Sequence, residues 1–164
     1  MLFRSLVHIV PRRGVYIVRK TKVEILEMVT VWAALESMAA RLICENAGDD
    51  EIASLRKMFS TFEGDQVQAH IDEYSETNIE FHQAILSLSH CDLLRDIADN
   101  LFIHMRSIRA RTISDGDRAD RSIIDHMHII EALENRDSDL AARLVREHSL
   151  NLAAHIEKHV DYLE

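Results

Sequence analysis

Residues 25–42 read Ile-Leu-Glu-Met-Val-Thr-Val-Trp-Ala-Ala-Leu-Glu-Ser-Met-Ala-Ala-Arg-Leu, and this stretch decides the fold class. Ile25, Met28, Val29, Trp32, Leu35, Ala39 and Leu42 recur at the 3.6-residue helical period, so the stripe they form has to be buried against other helices. Working outward, the same period predicts helices over roughly 22–47, 50–61, 66–89, 91–113, 118–135 and 138–161. Short breaks at Gly48-Asp49, Gly64-Asp65, His90, Asp115-Gly116-Asp117 and Arg136-Asp137 favour antiparallel neighbours. Upstream, β-branched runs flank Pro11 to Gly14 within residues 6–18 and predict a β-hairpin with a basic tip. The expected architecture is all-α: an antiparallel bundle of six or so helices over 21–164, preceded by a short β-hairpin within 1–20.

Bulk composition agrees. A chain of 164 residues that is 47% apolar fits one ordinary domain with a short appendage, and four Gly with one Pro leave few turn signals. Cys44 and Cys91 lack metal-type spacing and nothing resembles a secretory leader, so the expectation is a reduced, cytoplasmic protein. No apolar run approaches the ~18 residues of a bilayer span, which argues against a membrane role. Charge is unevenly placed. Residues 1–23 hold six basic residues and no acid, leaving thirteen basic against twenty-eight acidic residues in the remainder. A body near −15 repels phosphate backbones, so nucleic-acid contact is expected only in the N-terminal segment.

The functional signal lies in polar residues on apolar stripes, because a buried polar group needs a partner. Ile71, Tyr74, Asn78, Phe81, His82, Ile85 and Leu88 share one helical face, which puts Asn78 and His82 inward one turn apart. His126 lies with Ile123, Ile130 and Leu133, whereas His128 points about 200° away. His148 clusters with Leu144, Val145 and Leu152. Neutral imidazoles from three helices can converge on one divalent metal, with Asn78 supplying an amide oxygen; equally, they can hydrogen-bond one another in a metal-free core. His155 and His159 sit too far along their helix to share that metal, and Glu80 and Asp125 are expected to face elsewhere.

Several of these segments resemble a known family. Pro11-Arg12-Arg13-Gly14-Val15-Tyr16-Ile17-Val18 is similar to the wing that ends the winged helix-turn-helix domain of GntR-type transcription regulators. Leu35 to Leu42 looks like the opening helix of the FadR-type effector domain (FCD). Asn78-Ile79-Glu80-Phe81-His82, Asp125-His126, Arg136-Asp137 and His148 resemble that domain's metal-binding pattern in order and spacing. The resemblance implies that Asn78, His82, His126 and His148 bind a divalent metal, commonly zinc or nickel, and that a small carboxylate effector controls the operator affinity of a homodimer. Two departures stand out. Asn78 replaces the Asp of many members, and Trp32 occupies a position where many have Arg; Arg109 and Arg106 are the candidate substitutes for that carboxylate-binding cation. Arg12 and Arg13 are the DNA-contacting remnant. The three helices that read the major groove precede the wing in that family and are not among these residues, so operator DNA is expected to be a partner only of the full-length regulator.

The leading expectation is thus a non-enzymatic ligand-sensing module of a GntR/FadR-type regulator. Two alternatives stay open: a metal-dependent hydrolase, since three histidines with open positions can activate water, and a metal-free helical dimerisation module. A homodimer is expected because apolar residues in one run, Leu101, Phe102, Ile103 and Met105, exceed what one core can use.

Overall fold

The computed structural model describes residues 20–62 and 67–159 in full, together with the backbone of 7–10 and 14–17. Strand β1 (Val7–Val10) pairs antiparallel with β2 (Gly14–Ile17), Val7 standing opposite Ile17 and Val10 opposite Gly14. Pro11, Arg12 and Arg13, the expected basic tip, lie outside the described residues. The body is all-helical: α1 (Lys22–Asn46), α2 (Asp49–Met58), α3 (Ile71–Leu88), α4 (Asp92–Thr112), α5 (Arg118–Glu134) and α6 (Ser138–His159). Two short 3-10 turns, Ser60–Phe62 and Gln68–His70, replace the expected end of α2 and the expected start of α3. No helix among the described residues is long and apolar enough to cross a membrane.

Helix α1 begins at a capping box. The Thr21 hydroxyl accepts from the Glu24 amide at 3.3 Å while the Glu24 carboxylate accepts from the Thr21 amide at 3.0 Å, so two orphan donors are satisfied together. The helix buries Ile25, Val29, Trp32, Ala33, Ala39, Ala40 and Ile43, and packs along α6 more extensively than any other pair does, while also touching α3, α4 and α5. The small residues Ala39 and Ala40 on α1 and Ala141 and Ala142 on α6 are all buried, which lets these two backbones approach closely. Being central, α1 is the element through which the other helices are positioned.

The turn between α5 and α6 carries the bundle's main polar clasp. Arg136 adopts a left-handed backbone (φ 56°). From there its Nη1 donates to the carbonyls of Ala47 at 2.7 Å and of Ile43 and Cys44 at 3.3 Å at the C-terminal end of α1, where that of Ile43 also accepts from the Ala47 amide. Its Nη2 pairs with Asp49 at the start of α2. Arg136→Ala is therefore expected to cost about 1–3 kcal/mol, read from the urea midpoint, with Arg136→Lys recovering only part because one ammonium cannot serve both helix ends.

Candidate metal and effector site

The site is assembled where α3, α5 and α6 meet α1. Asn78 and His82 come from successive turns of α3, His126 from the middle of α5 and His148 from the middle of α6, and all four are buried. One ligand atom from each of His82, His126 and His148 lies within 4.8 Å of the others. The Nε2 atoms of His126 and His148 are 3.2 Å apart, and the His82 and His148 rings stack with centroids 5.3 Å apart. Phe81, Phe59 and Tyr74 wall the cluster, the Phe81 ring lying tilted against His126 with centroids 4.4 Å apart.

Each imidazole is gripped on its other nitrogen. His82 Nδ1 pairs with the Glu36 carboxylate of α1, His126 Nδ1 meets the Tyr74 hydroxyl at 3.3 Å, and His148 Nδ1 meets Asp125 Oδ2 at 3.0 Å. Carboxylates accept, so His82 and His148 carry their protons on Nδ1 and turn Nε2 lone pairs toward the cluster. In the metal-free cluster His126 donates from Nε2 to His148 and accepts from Tyr74; to bind an ion it would carry the proton on Nδ1 instead, donating to the Tyr74 hydroxyl and freeing Nε2. Burial holds His82 and His126 well below the ordinary histidine range, the positive Arg109 acting in the same sense on both. Burial also lowers His148, against the opposing pull of Asp125. The three rings are neutral, which is the state that binds metals.

Glu36 is the residue the sequence reading missed. It is fully buried, accepts from Ser149 Oγ at 2.7 Å, and has Arg109 Nη2 at 3.9 Å. Burial raises its pKa against the lowering effects of Arg109 and the Ser149 hydrogen bond. Arg109 is pushed down to about 10 by burial, and its Nη2 also reaches Ser149 at 3.3 Å. The available signal was spacing: Glu36 falls on the α1 stripe one turn after Trp32 and one before Ala40.

The other sequence candidates divide. Trp32 is buried with its indole N–H close to Glu36, though without hydrogen-bond geometry, and its ring lies 6.1 Å from Phe102. Arg109 is buried and Arg106 is exposed, so Arg106 is removed from the site: it points off the α4 face that packs inward. Asp125 does not face elsewhere as expected: partly exposed at the rim, its carboxylate meets His148 Nδ1 across the α5–α6 contact. His128 is exposed, and His155 bonds to Asp115 at 2.9 Å, away from the cluster. Met105, expected in an excess apolar run, is 1% exposed and belongs to this core, while Ile103 is 52% exposed.

The donor set fits a divalent metal. An ion binding nitrogen at 2.0–2.1 Å in tetrahedral geometry separates its donors by about 3.3 Å, close to the His126–His148 spacing. His82 Nε2 and Asn78 Oδ1 are both buried without a hydrogen-bond partner among the described residues, and an ion would satisfy both.

Comparison with known proteins places this geometry. The FCD domain family model matches residues 27–151. The chain belongs to the FCD domain family. Among relatives, the HTH-type transcriptional repressor RspR of Escherichia coli K12 is 22% identical over 144 residues, covering 88% of this chain and 63% of its own length. The Nta operon transcriptional regulator of Aminobacter aminovorans is 32% identical over 131 residues, covering 80% of this chain and 57% of its own. This FCD chain thus spans about three-fifths of the length of these relatives. E. coli McbR/YncC superposes with a TM-score of 0.78 at 19% identity, over 93% of this chain and 77% of that one. Streptococcus agalactiae GntR superposes with a TM-score of 0.65 at 19% identity, over 92% and 75%. At such identity the structural likeness establishes the fold.

The lowered imidazoles set a pH dependence for the metal-stripped FCD domain. A histidine whose folded pKa lies below its unfolded value near 6.5 contributes stability that is complete above 6.5 and lost as pH falls below it. Glu36, raised by burial, acts with the opposite sign, but one carboxyl opposes three imidazoles. Thermal melts of the metal-free chain should therefore show Tm dropping between pH 7.5 and 5.5, and a flat profile would contradict the neutral-cluster assignment.

Proposed function

We propose that this chain is the ligand-sensing part of a GntR/FadR-type transcription regulator, binding one divalent metal, zinc or nickel, and a small organic acid. The observation that carries the reading is the cluster of buried, neutral His82, His126 and His148, with a buried, unpartnered Asn78 oxygen one helical turn before His82 on α3. These four residues hold the ion, and bound there it supplies a Lewis-acidic positive centre for a carboxylate. Arg109, whose Nε is buried without a partner, provides the second charge that recognises that carboxylate, and Trp32 forms an apolar wall. A neutral Asn in place of Asp leaves the loaded site more positive, so metal and anion binding reinforce each other.

A hydrolase needs a base aimed at the metal-bound water. Glu36 and Asp125 are occupied on the far nitrogens of His82 and His148, which favours a binding role over hydrolysis. Names of the relatives as HTH-type and operon regulators favour the same reading.

Signal transfer follows from Glu36. It ties α1 to His82 on α3, Arg109 on α4 and Ser149 on α6, so occupancy that moves His82 or Arg109 biases the position of α1. Helix α1 is also the element that follows the N-terminal strand pair, which we assign with Arg12 and Arg13 to a DNA-binding wing in residues 1–20. The active unit is a homodimer, formed through apolar residues exposed on α1 and α4, among them Val31, Met38, Leu93, Ile97 and Ile103. Light scattering at micromolar concentration should return twice the chain mass; a monomer would count against it.

Metal analysis of untagged protein tests the site. His82→Ala, His126→Ala and His148→Ala should each abolish metal retention, His128→Ala should leave it intact, and Asn78→Asp should tighten the metal while weakening carboxylate binding. If metal is absent from the unaltered protein and cannot be loaded, the metal-free dimerisation module becomes the correct description. With metal present, a cognate carboxylate at a hundredfold its Kd should add about 2.7 kcal/mol of stability in a thermal-shift screen.

A further inference from the structure

Between the first half of α5 and the second half of α6 lies a cleft of about 400 Å³. Its inner end is formed by His148 and Asp125, so it opens directly onto the histidine cluster. Its outer end is cationic, lined by Arg118, Arg121 and Lys158. On α5, Arg118, Arg121 and Asp125 follow at three, then four residues, and on α6 His148, His155 and Lys158 follow at seven, then three, so each set shares one helical face. Because α5 and α6 run antiparallel, both cationic ends fall at the same end of the cleft. That end stands roughly 10–15 Å of helix away from the histidine end.

This concentration of positive charge is anomalous. Residues 24–164 carry thirteen basic against twenty-eight acidic residues, yet the cleft gathers three cations against one lining carboxylate, Asp125, which is engaged by His148. Among the described residues, Arg121 forms an ion pair with Asp117 at 2.8 Å, whereas neither Arg118 nor Lys158 forms one, Asp115 and Asp117 acting on Arg118 only from beyond contact. The Arg118 Nε is buried and without a hydrogen-bond partner. Burial and the neighbouring Arg121 pull the Arg118 pKa down against the opposing Asp115, Tyr74 and Asp117, so the guanidinium is held there at a cost that an anion would offset.

We propose that this cleft is a second anion subsite, and that the effector is a two-headed acid: one carboxylate at the histidine end, a second carboxylate or a phosphate on Arg118, Arg121 and Lys158. The inference rests on the sensing role proposed above and adds the class of molecule sensed. A monocarboxylate fills only the inner end and leaves Arg118 and Lys158 without an ion pair. A second anionic head pairs them, and the selectivity arises there.

Calorimetry on the zinc-loaded chain with acetate, glutarate, citrate, 3-phosphoglycerate and the longer adipate and suberate tests this, since the ends of the cleft stand roughly 10–15 Å of helix apart and the Arg and Lys side chains close only part of that span. At least one two-headed acid should bind about tenfold or more tighter than acetate, since charge-assisted hydrogen bonds to a second head are worth that much. Glutarate against 3-phosphoglycerate tells whether the second head is carboxylate or phosphate. Arg118→Gln and Lys158→Gln should each shrink the ratio of two-headed acid to acetate affinity toward one. Lys158→Glu, at an exposed position, should reverse it, and supplies the answer if Arg118→Gln fails to fold. Acetate binding as tightly as every two-headed acid, or a preference that survives both Arg118→Gln and Lys158→Glu, overturns the second subsite and leaves the sensing role standing. Failure of every acid to bind, acetate included, overturns the sensing role and this inference with it.

Discussion

Three neutral imidazoles sit side by side in an apolar core, and the rest of the bundle is arranged to make that tolerable. An imidazole ring has two nitrogens to satisfy, and a buried group left unpaired costs on the order of 1–3 kcal/mol. Here the three Nδ1 atoms are satisfied from three different elements: Glu36 on α1, Tyr74 on α3 and Asp125 on α5. The arrangement points the remaining Nε2 atoms of His82, His126 and His148 at a common volume. A buried carboxylate such as Glu36 then needs its own partners, and Ser149 and Arg109 supply them from α6 and α4. One polar network therefore reaches five of the six helices.

That network bears on how a small ligand could be felt at a distance. Cores are close-packed and shift between discrete arrangements rather than deforming smoothly. Glu36 lies near the centre of α1, which packs along α6 and follows the strand pair in the chain. Anything that repositions His82 or Arg109 has α1 as its shortest mechanical path. The fold shared with E. coli McbR/YncC at 19% identity is consistent with this: the helical scaffold depends on apolar period and small-residue contacts, which many sequences satisfy, while the chemistry depends on a few inward polar side chains. The cleft between α5 and α6 is where this chain's own charges add to that scaffold.

What the sequence determined by itself was azimuth. The 3.6-residue period placed six helices, turned Asn78, His82, His126 and His148 inward, and turned His128 outward; each of these follows from a residue's angle about its own helix axis. The period also carried Glu36, which lay on the α1 stripe in plain view, but a lone acid among apolar residues does not announce its partner. Tertiary structure decided which neighbours stand opposite: Glu36 meets His82 across 46 residues, Tyr74 meets His126 across 52, and Ser149 meets Glu36 across 113. It also separated Arg109 from Arg106 and drew Met105 into the core while leaving Ile103 outside, because residues three apart, or two, lie near the boundary of a stripe whose width is set by the helices packed against it. Periodicity fixes an angle within one helix; only the packing of several helices fixes which atoms occupy the space that angle points into.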